Sequence, residues 1–467
     1  MRALSHFRRK ANLYETFPIR ERDRVAIPIR DEKGVLRNIR FASDCNFEMW
    51  ASCAPAVGDN YGLVENVRNY ADVRAVSCWA GGIVGMNEME GRIIGCYNEG
   101  LVTSCYNSIG GITGRNNGII ENCANLGSIE CYKWANFGSN PNVVGGIAPS
   151  MSGGIMRNVL NMGPVYASGG AVGGLVGNLY RLGTSKGPGK NNILGGLTIG
   201  NVRTPVTATG GAVAGMNTNQ TAVEADAPFS TYYELPTAQF GAYANDDRAG
   251  MTGLSTERLT DGQPIDSLST EYWQYDAGKY PILKTFADEP RLQAARTVIM
   301  TLPANVTVRD LTADATLSGN ATWSVDPSTY YKVQDGKLKT GAVPTKVEEA
   351  TVTGSLSGFE RPIDIKRIPP VPLTGDGTQA SPYLIKSADD LCQVQERVNS
   401  NDNFDFKVIS GTDTIPCSRT FTGQYLRLTA DLDMSGYDFT PIGNRNHYFA
   451  GHFDGAGHTV KGLNIYG

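Results

Sequence analysis

Residues 63–73 read LVENVRNYADV, and the same pattern returns as RIIGCYNEGLV at 92–102 and IIENCANLGSI at 119–129. Each copy has a central apolar residue, followed two positions later by an asparagine. The interval between the central residues is 29 residues and then 27. A pattern that returns at a nearly constant interval indicates stacked structural units.

The pattern extends in both directions from this stretch. Further copies are VLRNIRF (35–41), IMRNVLNMGPV (155–165) and ILGGLTIGNV (193–202). Aligning the copies gives one apolar column: Ile39, Val67, Cys96, Cys123, Val159 and Leu197. The later intervals lengthen to 36 and 38 residues, which predicts insertions that leave the stack as loops.

Asparagine and glycine form further columns in the same register. One asparagine column follows the apolar column by two positions: Asn69, Asn98, Asn125 and Asn161. A second precedes it by one position, interrupted by Gly95 and Gly196: Asn38, Asn66, Asn122 and Asn158. A glycine motif accompanies the copies: GGIVGMN (81–87), GGITGRN (110–116), GGIAPSM (145–151), GGLVGNL (173–179) and GGAVAGM (210–216).

Units of about 28 residues with three short strands and no helical period predict an all-β fold, a right-handed parallel β-helix. Successive coils would lie about 4.8 Å apart, so that like residues stack on like. A buried asparagine without a partner costs about 1–3 kcal/mol, and a ladder of side-chain amides removes that cost. We therefore expect Asn69, Asn98, Asn125 and Asn161 to lie in one row.

Seven of the nine cysteines lie between Cys45 and Cys131, and none forms a C-x-x-C pair. In the proposed register Cys96 and Cys123 are small core residues, although stacked thiols could also oxidise. The spacing predicts neither a disulfide framework nor a structural metal site, and we expect no cofactor.

The composition excludes several functional classes. With 42 basic and 46 acidic residues the net charge is −4, so the chain lacks the excess of basic residues that is typical of nucleic-acid-binding proteins. The sequence contains no run of eighteen apolar residues and therefore predicts no membrane span. Its first residues lack the apolar core of a secretion signal.

The repeated pattern GG[IL]xGxN…IxNCxNxG resembles the GLUG repeats of large bacterial surface proteins, over about residues 35–290. Residues 375–465 resemble the opening of another such β-helix. The resemblance implies a cell-surface or extracellular location. It implies little about activity, because in that family the repeats accompany different effector domains, among them IgA-specific metallopeptidases.

The sequence divides into four predicted regions. Residues 1–228 form the repeat β-helix. Residues 229–290 resemble the closing segment of such arrays, and their YPIL ending at 280–283 implies that they cover its open end. Residues 291–370 contain seven short alternating runs, which predict an immunoglobulin-like β-sandwich. Residues 371–467 begin a second β-helix, with a short helix over 388–399. Because both ends lack a visible cap, we expect a fragment of a longer protein or ends that meet other copies or domains.

No convincing catalytic set is present. Asp431 and Asp433 alternate along a strand about 6.6 Å apart, within the range of inverting glycosidases, but turn capping or a Ca²⁺ contact explains them as well. His452, Asp454 and His458 could bind a metal, or could lie in a glycine-rich turn. No histidine is followed by the H-E-x-x-H pattern of zinc proteases. We predict no catalytic and no metal-binding residues.

The ligand-binding candidates lie in two insertions. Tyr132, Trp134 and Phe137 occupy the insertion that lengthens one interval, where exposed aromatic residues need a reason other than the core. Lys186 and Lys190 lie in a basic loop at 183–190 that is not a phosphate-binding loop. Aromatic residues of the closing region (Tyr232, Tyr233, Phe240, Tyr243, Tyr272, Trp273, Tyr275 and Tyr280) fit a cap better than a sugar site.

These observations favour a non-enzymatic surface or secreted repeat protein that binds a glycan or a host protein. One alternative is a carbohydrate-active enzyme, a lyase or glycosidase, built on the β-helix. Another is a set of accessory repeats from a larger secreted protease.

Overall fold

The computed structural model describes residues 34–49, 54–75, 79–104, 108–132, 142–179, 192–203, 209–217, 229–235, 250–303, 306, 308, 311, 313–341, 348–367, 373–399, 406–410, 413–417, 420–435, 437, 439–443 and 448–463. These residues form an all-β structure with mostly parallel sheets, as predicted. Within these ranges the chain forms three short α-helices: Thr256–Thr260, Pro290–Ala295 and Ala388–Asn399.

The repeated pattern forms a nine-stranded sheet of parallel strands. Its strands are Val35–Phe41, Leu63–Asn69, Arg92–Ile94, Tyr97–Asn98, Ile119–Asn125, Ile155–Asn161, Asn192–Thr198, Phe229–Glu234 and Met251–Leu254. Val67 pairs with Ile39 and Cys123 pairs with Val159, as the aligned column predicts. Each copy is therefore one rung of a coiled chain, an arrangement consistent with the predicted parallel β-helix.

The other faces of each coil are also parallel ladders. A six-stranded sheet contains Asn46–Met49, Asp72–Ala75, Val102–Ser104, Ile129–Cys131, Val165–Ala167 and Val202–Arg203. A five-stranded sheet contains Ala80–Gly81, Ser108–Gly110, Val143–Gly145, Ala171–Gly173 and Thr209–Gly211. Shorter ladders pair Val57–Asn60 with Val84–Asn87, and Ala148–Met151 with Val176–Leu179 and Ala214–Asn217.

The predicted asparagine ladder is present inside the coils. Asn69 donates to Asn98 at 2.9 Å, Asn98 to Asn125 at 2.9 Å, and Asn125 to Asn161 at 2.8 Å. All four side chains are fully buried. A second buried ladder, absent from the sequence prediction, links Asn60 to Asn87 and Asn87 to Asn116, each at 2.8 Å.

The Gly-Gly motif follows from the asparagine ladder. A Cβ added at Gly82 would lie 2.4 Å from Cγ of Asn98, and one at Gly111 would lie 2.4 Å from Cγ of Asn125. Each would also come within 2.2 Å of a carbonyl oxygen of the next coil. The second glycine of each motif therefore has to lack a side chain, because the asparagine amide and the neighbouring backbone already occupy that volume.

The predicted register is wrong by one residue in the last coil. Val159 pairs with Gly196, so Leu197 points outward in the column of Leu160. Gly195, at φ +71°, takes the turn position that we assigned to Gly196. In the glycine motif, Gly173 likewise pairs with Gly211. Two adjacent glycines give identical local patterns in either register, and only the packing of Leu197 distinguishes them.

The closing region both extends and flanks the first array. Strands Phe229–Glu234 and Met251–Leu254 add two rungs to the nine-stranded sheet. The chain from Ser255 to Val298 then packs on the outer face of the earlier rungs, where we expected a cover for the open end. Its elements are helices Thr256–Thr260 and Pro290–Ala295, strands Trp273–Asp276 and Lys279–Leu283, and the 3₁₀ turn Lys284–Phe286.

Outward-pointing apolar residues explain this flank packing. Tyr97, Ala124, Leu160 and Leu197 face away from the coil interior, yet all are fully buried. They share one core cluster with Trp273, Tyr280, Phe286 and Leu292 of the closing region. The returning chain covers these outward positions, a contact that the repeat pattern alone did not predict.

Two smaller sheets follow the closing region. One contains Met300–Thr301, Ala315–Leu317, Tyr331–Gln334 and Lys337–Thr340, and the other contains Thr322–Asp326, Glu348–Leu356 and Phe359–Arg367. Among the described residues, 313–339 and 351–364 belong to one compact unit with the chain before residue 309. The boundaries at 228, 290 and 370 and the immunoglobulin-like class stay predictions.

The second compact unit contains residues 309–312, 340–350 and the chain from 365 onward. Its parallel ladders pair Tyr383–Ile385 with Tyr425–Leu428 and His452–Asp454, and Leu432–Asp433 with Val460–Lys461. A hairpin pairs Phe406–Ser410 with Asp413–Cys417. The predicted helix covers Ala388–Asn399 and begins with a capping box, in which the Asp390 N–H donates to Ser387 Oγ at 3.2 Å and Asp390 accepts from the Ser387 N–H at 3.0 Å.

Candidate functional site

The six-stranded sheet presents one column of side chains to the outside. Its strands alternate, so Val102, Ile129, Val165 and Val202 are buried in the core while their neighbours face outward. The outward neighbours are paired strand by strand: Thr103 with Glu130, Glu130 with Tyr166, and Tyr166 with Arg203. This alternation places an acidic, an aromatic and a basic side chain on adjacent rungs.

Two tyrosines meet on this face. The ring of Tyr132, just after the strand Ile129–Cys131, lies 5.2 Å from the ring of Tyr166, with an angle of 47° between the planes. Tyr132 is 49% exposed and Tyr166 is partly exposed. We call Glu130, Tyr132, Tyr166 and Arg203 the tyrosine patch.

The carboxylate of Glu130 is held from two sides. Its Oε1 accepts a hydrogen bond from Ser128 Oγ and its Oε2 accepts one from the Tyr132 hydroxyl, both at 2.8 Å. Partial burial, followed by the contact with Glu130, raises the pKa of Tyr132 to about 12. The phenol therefore stays neutral at physiological pH and continues to donate to Glu130.

Arg203 is oriented by the strand Phe359–Arg367. Its Nε lies 2.8 Å from Oδ2 of Asp364, and the Arg203 side chain keeps 41% of its surface exposed. Asp364 also accepts hydrogen bonds from Thr351 Oγ1 at 2.7 Å and from Asn201 Nδ2 at 3.3 Å. The small sheet thus supplies a fixed counter-charge that positions the guanidinium beside Tyr166.

Of the five predicted binding residues, the structure describes only Tyr132. Trp134 and Phe137 in the same insertion, and Lys186 and Lys190 in the basic loop, lie outside the described residues. Sequence reasoning missed Glu130, Tyr166 and Arg203. Alternation in IEC, VYA and VR identifies them as outward-facing, but nothing local indicates that Tyr166 lies beside Tyr132.

The two carboxylates considered for glycoside cleavage make turn contacts in the second unit. Asp431 Oδ1 accepts from the Thr459 N–H at 3.0 Å and lies 3.2 Å from Nδ1 of His458. Asp433 accepts from the Ser435 N–H at 3.0 Å and pairs with Lys461 at 3.4 Å. Hydrogen bonds from Thr459 and His458 lower the pKa of Asp431, and those from Ser435 lower the pKa of Asp433. Neither carboxyl is therefore suited to act as a general acid near neutral pH.

The three residues considered for a metal have separate partners. The ring of His452 stacks on Tyr425 at 4.3 Å, Asp454 pairs with Arg427 at 3.5 Å, and His458 contacts Asp431. Within the described ranges, no group of three or more His, Cys, Asp and Glu side chains is arranged to hold a metal ion.

Cys96 and Cys123 lie in the core. Both are fully buried free thiols, and the Cys96 N–H donates to Sγ of Cys123 at 3.4 Å. Burial, and then the contact with Cys96, raises the pKa of the Cys123 thiol, which disfavours the reactive thiolate.

The aromatic residues of the closing region are mostly part of the flank packing. Trp273 and Tyr280 are almost fully buried, and Tyr232 and Tyr275 pack against the same cluster. Tyr272, 37% exposed, is the member that faces solvent most among those the structure describes. Phe240 and Tyr243 lie outside the described residues, and the burial of the described members does not support a sugar-stacking role for them.

No helix among the described residues is long and apolar enough to cross a membrane. No family model matches the chain, and no curated protein matches it. Among solved structures, the chain is similar to a protein of Bacteroides ovatus whose assignment as an immunoglobulin A1 protease is provisional. The TM-score is 0.38 and the sequence identity 20%, over 54% of this chain and 76% of that one. The likeness to GLUG repeats stays a prediction from the sequence.

Proposed function

We propose that this chain is a non-enzymatic, extracellular or cell-surface repeat protein that binds a ligand on the outer face of its six-stranded sheet. The tyrosine patch carries this proposal. Two aromatic rings meet at the surface there, and the charged groups beside them are held in place by neighbouring side chains. Aromatic residues and arginine are the side chains that most often carry binding energy at protein surfaces.

The remaining columns of the repeat support a binding role rather than catalysis. The asparagine ladders and glycine pairs fill the coil interior, and the acidic residues considered for chemistry cap turns or form ion pairs. Within this proposal the coil is right-handed, and the sheets after residue 298 form an immunoglobulin-like module that supports Arg203 through Asp364.

A binding screen tests the proposal. The full chain would be immobilised and exposed to glycan arrays and to extracellular glycoproteins, alongside the variants Tyr132→Ala and Tyr166→Ala. We expect a captured ligand to bind at least about tenfold more weakly to either variant, which corresponds to about 1.4 kcal/mol. Tyr448, 68% exposed in the second unit, provides the control Tyr448→Ala, which should bind within about twofold of the wild type. Absence of any ligand at high micromolar concentration, or equal binding by all variants, would refute the proposal.

A further inference from the structure

We propose that the ligand of the tyrosine patch is a neutral oligosaccharide chain, an inference that rests on the proposed function. In this arrangement a pyranose ring lies on the ring of Tyr166, and its hydroxyl groups bond to Glu130 and Arg203. The juxtaposition of an aromatic face, a carboxylate and a guanidinium on three consecutive rungs is the observation that assigns the ligand class.

The aromatic part of the patch matches the apolar face of a sugar. Tyr132 and Tyr166 meet at 47°, so the rings are not stacked face to face and do not cover one another fully. An aromatic face carries partial negative charge, and the C–H groups on one side of a pyranose ring carry partial positive charge. A tilted pair of rings therefore offers a shallow platform on which a sugar ring can rest.

The polar part of the patch matches sugar hydroxyls, which both donate and accept. A carboxylate has about four acceptor positions, and Glu130 uses one on each oxygen for Ser128 and Tyr132. A guanidinium has five donors, and the contact of Arg203 with Asp364 is made through Nε. With respect to the described residues, acceptor and donor capacity thus remain on either side of Tyr166, in side chains that are already oriented.

The charge of the patch favours a neutral over an acidic sugar. Among the described residues, Glu130 and the neighbouring Asp364 carry two negative charges against the single positive charge of Arg203, and the raised pKa of Tyr132 keeps its phenol neutral at physiological pH. A carboxylated or sulfated sugar would meet net negative charge beside an arginine that is already paired. The patch lies on a ladder of rungs spaced about 4.8 Å apart, so an extended chain can contact several of them.

Titration calorimetry with the full chain tests the ligand class. The probes are neutral hexose and N-acetylhexosamine oligomers, with uronic acid oligomers of the same length for comparison. We expect a neutral oligomer to bind at least about tenfold more tightly than the acidic ones. Tyr166→Ala should weaken that binding at least about tenfold, whereas Tyr166→Phe, which keeps the ring, should stay within about threefold. Glu130→Gln, which keeps the shape but removes the charge, should weaken it by about three- to tenfold.

The outcomes separate this inference from the proposed function. If a glycoprotein found in the screen binds equally well after enzymatic removal of its glycans, and the tyrosine variants weaken that binding, the site stands and the sugar ligand is wrong. Tighter binding of the acidic oligomers would also overturn the neutral ligand. If a neutral oligomer binds but Tyr166→Ala leaves its affinity unchanged, the assignment to this patch is wrong. Thermal melting of each variant, expected within a few degrees of the wild type, excludes loss of the fold as the cause.

Discussion

At the scale of single residues, Asn98 shows why the coil interior contains amides. It accepts a hydrogen bond from Asn69 and donates to Asn125 and to the carbonyl of Gly100, each at 2.9 Å. The amide therefore forms hydrogen bonds with the coils on both sides of it and with the backbone of its own turn. Removing one rung of the ladder deprives Asn69 of one acceptor and Asn125 of one donor in the buried interior.

We accordingly expect Asn98→Ala to lower the free energy of unfolding by about 2–4 kcal/mol, measured by urea denaturation. Asn66 is the matched control. It stands in the exposed asparagine column at φ +52°, where glycine is conformationally favoured. Asn66→Gly should change the free energy of unfolding by less than about 1 kcal/mol. Equal effects of the two substitutions would contradict the account of the buried ladder.

The glycine pairs make a second residue-scale prediction. A Cβ at Gly82 would lie 2.2 Å from the carbonyl oxygen of Gly111, so Gly82→Ala must push two coils apart. We expect a loss of at least about 2 kcal/mol in the free energy of unfolding. Gly169 has nothing within 4 Å of its added Cβ, and Gly169→Ala should stay within about 0.5 kcal/mol of the wild type. A tolerated Gly82→Ala would show that the coils are not packed this closely.

At the scale of elements, buried ion pairs attach the closing region to the nine-stranded sheet. Arg68, on the outer face of its strand, pairs with Glu289 at 3.0 Å, and both side chains are almost fully buried. Tyr70 donates to the other oxygen of Glu289 at 2.8 Å, and the Arg68 guanidinium lies 4.7 Å from the ring centre of Phe286. A second buried pair, Glu234 with Arg361, joins the end of the array to the strand Phe359–Arg367.

Removing one partner of such a pair leaves a buried charge uncompensated. We expect Arg68→Ala to cost about 3–5 kcal/mol and to speed hydrogen exchange in residues 284–295. The exposed pair of Arg37 with Glu65, at 3.9 Å, provides a control on the same sheet. Arg37→Ala should cost less than about 1 kcal/mol. Unchanged exchange in the closing region of the Arg68 variant would show that the pair does not hold it.

At the scale of the whole molecule, buried tyrosines make stability fall at alkaline pH. Burial raises the pKa of Tyr97 and Tyr280 well above the usual value, and raises that of Tyr275 to about 12. Unfolded tyrosines lose their protons near pH 10, so above that pH the folded state binds more protons than the unfolded state. The free energy of unfolding must then fall as the pH rises from about 10 to 12.

Urea denaturation at pH 8, 9, 10 and 11 measures this dependence. The tyrosines should contribute equally to the free energy of unfolding at pH 8 and 9. Above pH 10 we expect the free energy of unfolding to decline. Tyr275→Phe removes one contributing phenol, whose hydroxyl donates to the Leu268 carbonyl at 2.6 Å, and should flatten the decline. A stability that does not change between pH 8 and 11 would show that these phenols ionise equally in both states.

Much of the repeat architecture could be predicted from the sequence because stacking repeats a local environment. Ile39, Val67, Cys96, Cys123 and Val159 occupy equivalent positions in successive coils, and the buried asparagines mark the same turn. The prediction lost register at Gly195–Gly196, where neighbouring glycines carry no side chain to distinguish the two faces. The ladder Asn60–Asn87–Asn116 was not predicted, because the motif before Asn60 lacks the glycine pair and the column continues as Met151 and Leu179 in the next coils.

The sequence by itself determined most of the interior of this protein: its period, the inward column as far as Val159 and one of the two amide ladders, since each depends on contacts between equivalent residues. The tertiary structure alone decided the exterior. Tyr97, Leu160 and Leu197 are buried only because the chain after Ser255 returns across them. Tyr132 meets Tyr166 of the next coil, and Arg203 meets Asp364 of a strand far along the chain. Such contacts leave no period in the sequence, because each occurs once.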